Sequence, residues 1–137
     1  MKIKNVVLSC ALLAVCLFPQ GCALLLVGAA AAGGAVGAVS YYGNELQTIQ
    51  EITLDKAWTA AQATANALQF KTEADRSRKD GIKGILYCRN ADSQPVLIRV
   101  IRQSDKLTEV RIRVGTFDTA SNRHTAQTVF EKMRSRM

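Results

Sequence analysis

Val96-Leu-Ile-Arg-Val-Ile-Arg-Gln103 and Leu107-Thr-Glu-Val-Arg-Ile-Arg-Val114, joined by Ser104-Asp-Lys106, form the stretch on which the fold turns. In the second run Val110, Ile112 and Val114 alternate with Glu109, Arg111 and Arg113. Successive side chains of a strand point to opposite faces, so this period of two predicts a strand with one buried face and one wet face. Val96, Ile98 and Val100 supply the matching inward set one strand earlier. A polar break as short as Ser104 to Lys106 suits a hairpin between neighbouring antiparallel strands.

Upstream, Ile82 to Arg89 and Phe70 to Asp75 read as two further strands, bounded by polar breaks at Asn90 to Pro95 and Arg76 to Gly81. Breaks this short make a sequential antiparallel meander the simplest topology for the four strands. Glu45 to Thr53 alternates loosely and reads as an earlier strand. Leu54, Trp58, Ala61, Ala65 and Leu68 recur at helical spacing and predict a helix from Leu54 to Gln69. Its start carries Thr53 as N-cap and Asp55 in the first turn, where the helix dipole favours negative charge. Trp58 is the expected core anchor of that helix. Asp118 or Thr119 can cap a last helix running to about Arg134, with Ala126, Val129, Phe130 and Met133 as its apolar stripe and Lys132 and Arg134 in its last turns. The order strand, helix, four strands, helix predicts an α+β two-layer domain, an antiparallel sheet of about five strands with both helices on one face.

The remainder of the chain has another texture. Of 137 residues, 18 are basic and 11 acidic, a net charge of +7. Lys2 and Lys4 are the only charged side chains before Glu45, so the part from Glu45 onward keeps +5. A chain of this length leaves no room for a second sizeable domain, a large cofactor-binding fold or a barrel enzyme. Lys2 and Lys4 precede the uncharged apolar run Asn5 to Phe18, the layout of a secretory signal. Pro19-Gln-Gly-Cys22 follows, with Gly21 directly before a cysteine where a cleavage site belongs.

This arrangement resembles the lipobox of bacterial lipoproteins, which implies cleavage after Gly21 and a lipid on Cys22. Pro19 stands where such motifs carry Leu or a similar aliphatic residue. Cys10 would leave too short an apolar run, and Cys16 follows the bulky Val15, so Cys22 is the better candidate. The resulting organisation is a signal peptide over residues 1–21, a lipidated cysteine with an Ala/Gly-rich tether over 22–43, and a small periplasmic α+β domain over 44–137. Because Ala23 rather than Asp follows Cys22, the resemblance implies sorting to the outer membrane of a double-membrane bacterium. With Cys10 and Cys16 removed and Cys22 modified, Cys88 is left as a lone thiol, most simply a buried apolar residue.

Residues 23–42 are uncharged and rich in Ala and Gly. Leu24 to Val27 beside the acyl chains, with a compliant tether behind them, is one reading. The alternative is a spanning segment, since the run reaches the roughly 20 residues that a bilayer requires. Ala29, Gly33 and Gly37 at a spacing of four would then associate helices, and Tyr41-Tyr42 would mark the interface.

The Gly-Cys pair with its Ala/Gly run, Leu54-Asp-Lys-Ala-Trp58 and Arg111-Ile-Arg-Val-Gly-Thr-Phe117 together resemble the DUF3568 family of uncharacterised bacterial lipoproteins. That resemblance implies location and fold and no reaction.

Little in the chain points to catalysis. His124 is the single histidine and falls on the expected outer face of the last helix, without an orienting partner. Gly81-Ile-Lys-Gly84 lacks the ending of a phosphate loop and reads as a turn with a close backbone approach. A zinc site needs three or four ligands, and Cys88 and His124 do not supply them. The expectation is a non-enzyme with no cofactor and no metal, and an enzyme built on residues of no recognised pattern is the second alternative after the spanning segment. The candidate binding feature is a basic patch of Arg89, Arg99, Arg111 and Arg113 on the wet face of the sheet, facing an anionic envelope component or an acidic protein. An ordinary solvated face with Glu109 interspersed is the plainer reading. Nucleic acid is not an expected partner, because the basic residues are not interleaved with exposed aromatics.

Overall fold

A computed structural model describes residues 36–137 of the chain, and every structural statement below concerns these. Seven strands and two helices follow one another as β1 (Val39–Tyr42), β2 (Glu45–Gln50), α1 (Leu54–Ala67), β3 (Lys71–Thr72), β4 (Arg78–Lys79), β5 (Lys83–Arg89), β6 (Pro95–Ser104), β7 (Leu107–Val114) and α2 (Ala120–Arg134). All strand pairings are antiparallel, in the order β1-β2-β7-β6-β5-β3, with β4 also on β5. The meander expected from the short breaks is therefore present in β5, β6 and β7. The first two strands close up against the last one, so β2 lies beside β7.

The inward parity of the decisive hairpin is the core. Val96, Ile98, Val100, Val110, Ile112 and Val114 are buried together with Leu46 and Leu86, and both helices lie on this face. Helix α1 packs on β5, β6 and β7, and α2 on β7 and β2. From α2 come Ala126, Val129, Phe130 and Met133, the stripe expected at i, i+3, i+4 and i+7. Each large apolar side chain buried in this way stabilises the fold by about 1.5–3 kcal/mol. Helix α1 buries mainly small residues, Ala57, Ala60, Ala61, Thr64 and Ala65, which allow its backbone to approach the sheet closely.

Trp58 packs on this core half-exposed, above Gly84. A Cβ on Gly84 would run into the Trp58 ring and come within 2.9 Å of Val100 Cγ2, so the close backbone approach expected at this glycine is real. The caps are local. Thr53 Oγ1 accepts from Lys56 N at 3.3 Å, and Thr119 Oγ1 accepts from Asn122 N at 3.2 Å. Of the two candidate caps for α2, Thr119 is the one used. Helix α1 ends two residues before Gln69, which takes a left-handed conformation while Phe70 N donates to Ala65 O at 2.9 Å. This is a Schellman-type stop made without glycine.

Three expectations change. The run Phe70 to Asp75 is not one strand: only Lys71–Thr72 pairs, and Glu73 to Arg76 turns, with Arg76 N donating to Glu73 O at 3.2 Å. The reason is Ser77, whose hydroxyl accepts from Tyr87 N at 3.0 Å and donates to Glu73 O at 2.7 Å. A side chain thus takes the place of a ladder partner, and pairing resumes at Arg78–Lys79 inside the expected break. The early strand, expected to reach Thr53, ends at Gln50, where Ile52 N turns back to Gln50 O at 2.9 Å.

The third change concerns the tether, expected to run through residue 43. The folded unit begins at Val36, and Val39–Tyr42 is a strand on β2. Tyr41 packs against the core, with the Arg123 guanidinium 5.6 Å from its ring centroid. Tyr41 and Tyr42 are therefore elements of the sheet. Gly43, at φ +59, opens the tight β1–β2 hairpin and makes this early pairing possible.

Candidate functional site

The sheet face away from the helices carries the remaining parity of each strand. Register aligns it in rows: Tyr42, Glu45, Arg113, Leu97 and Tyr87; then Ser40, Gln47, Arg111, Arg99, Ile85 and Arg78; then Ile49, Glu109, Ile101 and Lys83. Arg99 and Arg111 are direct cross-strand partners. Like charges placed opposite one another destabilise a sheet unless something neutralises them. Two glutamates do so. Arg99 Nη2 pairs with Glu45, and Arg111 Nε donates to Glu109 Oε1 at 2.7 Å.

The carboxylate side chains are only 13% and 12% exposed, against 31% for each arginine. The acids therefore lie low on the sheet and the guanidinium groups spread above them. The hydrogen bond that Arg111 donates to Glu109 raises the Arg111 pKa above its ordinary value. Arg99 Nε is buried without a hydrogen-bond partner, so that guanidinium keeps one donor unused. Arg113 is exposed and has no carboxylate within 4.0 Å among the described residues.

Arg89 stands on the same face at the end of β5. Its Nε donates to Glu73 Oε1 at 2.8 Å, and Arg76 Nη1 reaches Glu73 Oε2 at 3.1 Å. Shared between two arginines, the Glu73 carboxyl titrates below the usual carboxylate range. The Arg76 guanidinium lies 4.1 Å from the Tyr87 ring centroid, a cation–π contact. Leu97, only 6% exposed, and the half-buried Ile49, Ile85, Ile101 and Tyr87 give the face an apolar floor.

The four arginines share this face, with Arg99, Arg111 and Arg113 at its centre and Arg89 toward one end. It is not a bare positive surface. Glu45, Glu109 and Glu73 each hold one of the expected arginines, and Arg76, Arg78 and Lys83 join from neighbouring strands and turns. Glu109 shares a strand with Arg111, and its parity placed it among them. Glu45 is 54 positions from Arg99, and only the β2–β7 pairing, which no local pattern encodes, brings it there.

The other candidates are placed as follows. Gly21 and Cys22 lie outside the described residues. His124 is exposed on α2. The amides of Ile82 and Lys83 both donate to Asp80 Oδ1, at 2.7 and 2.9 Å, and lower its pKa, so the Gly81 turn has spent its donors internally. Cys88 is buried against Thr72 Oγ1 at 3.6 Å, and burial pushes its thiol pKa up. A shallow groove of about 510 Å³ opens between the β6–β7 turn and the start of α1, lined by Glu51, Ile52, Thr53, Lys56, Ser104, Lys106 and Leu107. Among the described residues no three His, Cys, Asp or Glu side chains cluster to hold a metal ion, and no helix is long and apolar enough to cross a membrane.

Two helices closing one face of an antiparallel sheet, with an arginine-bearing apolar floor on the other, define an α+β two-layer domain with an open sheet face. The model of the DUF3568 family, described as a protein of unknown function, matches residues 4–130. The chain belongs to that family. Comparison with curated proteins gives no match.

Proposed function

We propose that this chain is a lipid-anchored lipoprotein of the bacterial envelope, held by Cys22, most simply in the outer membrane, with its domain facing the periplasm. The domain is a non-catalytic binding or structural module whose open sheet face meets an anionic envelope component or an acidic protein surface. The observation that carries the binding part is this face, where arginine and tyrosine stand over buried or half-buried Leu97, Ile85 and Ile101. Arginine and aromatic residues on a desolvated apolar floor are the composition that protein interfaces favour. The anchoring part rests on the charge-free run behind Lys2 and Lys4 and on Gly21-Cys22.

Against the alternative of a spanning segment over residues 23–42 stands the pairing of its last four residues, Val39–Tyr42, with β2.

Mass spectrometry of the membrane-extracted protein tests the anchor. A mature N-terminus at Cys22 bearing a diacylglyceryl group is expected, and an intact Met1 to Cys22 segment would sink the reading. Separately, Cys22→Ala is expected to release the protein from membranes on fractionation. For the face, Lys83→Glu with Arg113→Glu is expected to weaken co-sedimentation with vesicles containing anionic lipid, or capture of a specific acidic partner from envelope extracts. Unchanged binding in both assays would remove the sheet face from the proposal.

A further inference from the structure

The charge excess of the domain is gathered on one face. Lys71 stands opposite Arg89 and joins the seven basic side chains already placed on the open side of the sheet, against Glu45, Glu73 and Glu109. Eight basic and three acidic groups give this face +5, the full net charge of the chain from Glu45 onward. The other side chains from Glu45 onward balance at eight basic and eight acidic. Counting Asp75, in the turn beside Glu73, with the face would still leave it +4. The three carboxylates are taken up by Arg99, Arg111, Arg89 and Arg76. Lys71, Arg78, Lys83 and Arg113 are exposed, with no carboxylate within 4.0 Å among the described residues.

The rest of this chain does not hold the missing negative charge. Residues before Glu45 contain no Asp or Glu and add only Lys2 and Lys4. A second copy presents either the same +5 face or a surface that balances overall, so charge disfavours it as the occupant. The complement comes from a different, acidic molecule.

We propose that the open face docks an acidic segment of another protein, which sets Asp or Glu side chains against Arg78, Lys83 and Arg113 and apolar side chains on the floor between them. This rests on the reading of the open face as a binding surface and narrows its partner to one class. Two features select a polypeptide over a lipid or phosphate-rich surface. First, Glu45, Glu109 and Glu73 hold guanidinium groups in place from below. Fixed guanidinium forks suit carboxylates at a set spacing and gain nothing over a fluid headgroup layer. Arg111 and Arg113 lie about 6.6 Å apart along β7, close to the roughly 6 Å rise between positions i and i+4 of a helix. Second, Leu97 is only 6% exposed, and Ile85 and Ile101 are half-buried beneath the arginines. These side chains sit too low to enter a bilayer, and a phosphate-rich polymer brings nothing apolar to cover them. An acidic segment with apolar side chains supplies both contacts.

The test uses the full-length chain in its native membranes, with benzoylphenylalanine at Gln47 on the open face or, as a control, at His124, exposed on α2. Irradiation is expected to link position 47, and not position 124, to a second protein, and peptide mapping to place the link in a segment rich in Asp and Glu. A synthetic peptide of that segment is then titrated against the purified protein. Lys83→Glu with Arg113→Glu is expected to weaken its binding tenfold or more. Lys56→Glu with Lys106→Glu, an equal change of charge away from the face, is expected to weaken it less than threefold. An adduct with lipid or a phosphate-rich polymer would overturn the acidic-protein partner and leave the anionic-component reading of the face standing. An adduct with a second copy, a link into a segment without acidic residues, or equal weakening by the two double variants would also overturn it. No adduct from position 47 would do the same, and the binding-face reading falls with it only if anionic vesicles fail to bind as well.

Discussion

Single residues in this domain are constrained by what lies against them more than by their own type. Gly84 has ordinary backbone geometry, yet the Trp58 ring and Val100 occupy the space a Cβ would need. Gly84→Ala is expected to destabilise the domain by about 1–3 kcal/mol, the usual cost of overpacking. Urea unfolding monitored by Trp58 fluorescence measures it, and an unchanged midpoint would mean that the indole shifts freely. Gly115 is constrained twice: its φ of +68 suits glycine, and a Cβ would approach Asn122 Nδ2 to 2.5 Å. Cys88 illustrates the chemical side of the same principle. Its buried thiol titrates above the ordinary range, so at neutral pH it is protonated and shielded. Maleimide labelling followed by peptide mapping is expected to leave Cys88 unmodified in the native protein and to label it once urea unfolds the domain. Prompt labelling in the native state would contradict the burial.

At the scale of elements, caps and side-chain stand-ins set where each segment stops. Thr119 is the N-cap of α2, and Asp118 just outside it forms a two-point ion pair with Arg123, with both contacts at 2.6 Å. Thr119→Ala is expected to cost about 1 kcal/mol, the typical value of a lost N-cap, read from the shift in the urea midpoint. Asp118→Ala should cost less, because its partner is solvent-exposed.

Local pattern placed β7 at Leu107–Val114, where the alternation from Glu109 to Val114 leaves one phase only. The run Phe70 to Asp75 has no such alternation, and there Ser77 decided the outcome from outside the window. The charge-free run before Gly43 was ambiguous in another way: small and aromatic residues suit a tether, a membrane helix or a strand. Pairing with β2 is what made it β1.

Across the whole molecule, the electrostatics predict the direction of pH dependence. Asp55, Glu73, Asp80 and Asp118 titrate below the usual carboxylate range. Hydrogen bonds from Lys79, from Arg76 and Arg89, from the Ile82 and Lys83 amides, and from Arg123 respectively are the leading causes. A carboxylate with a folded-state pKa below its unfolded value is protonated first in the unfolded chain as pH falls. Its contribution is thus complete above the unfolded value of about 4 and is lost below it. The melting temperature is expected to change little between about pH 7 and 5 and to drop at pH 3. A scan showing equal stability at pH 7 and 3 would refute the assignment. High salt should act in the same direction but weakly, since these groups are exposed.

The sequence by itself determined the elements whose signal is periodic and local: the β6–β7 hairpin, helix α1 with its Thr53 cap, helix α2 with its buried stripe, the two-layer α+β class, and the parity that puts Arg99, Arg111 and Arg113 on one face. These depend on neighbours within a few positions, where side-chain period and capping chemistry act directly. Tertiary structure alone decided that β2 joins β7, that Glu45 therefore neutralises Arg99 across 54 positions, and that Val39–Tyr42 pairs with β2 as a strand of the sheet. Those outcomes come from long-range strand pairing, in which a backbone edge accepts any extended segment that the global packing presents to it, and no local window of residues records that choice.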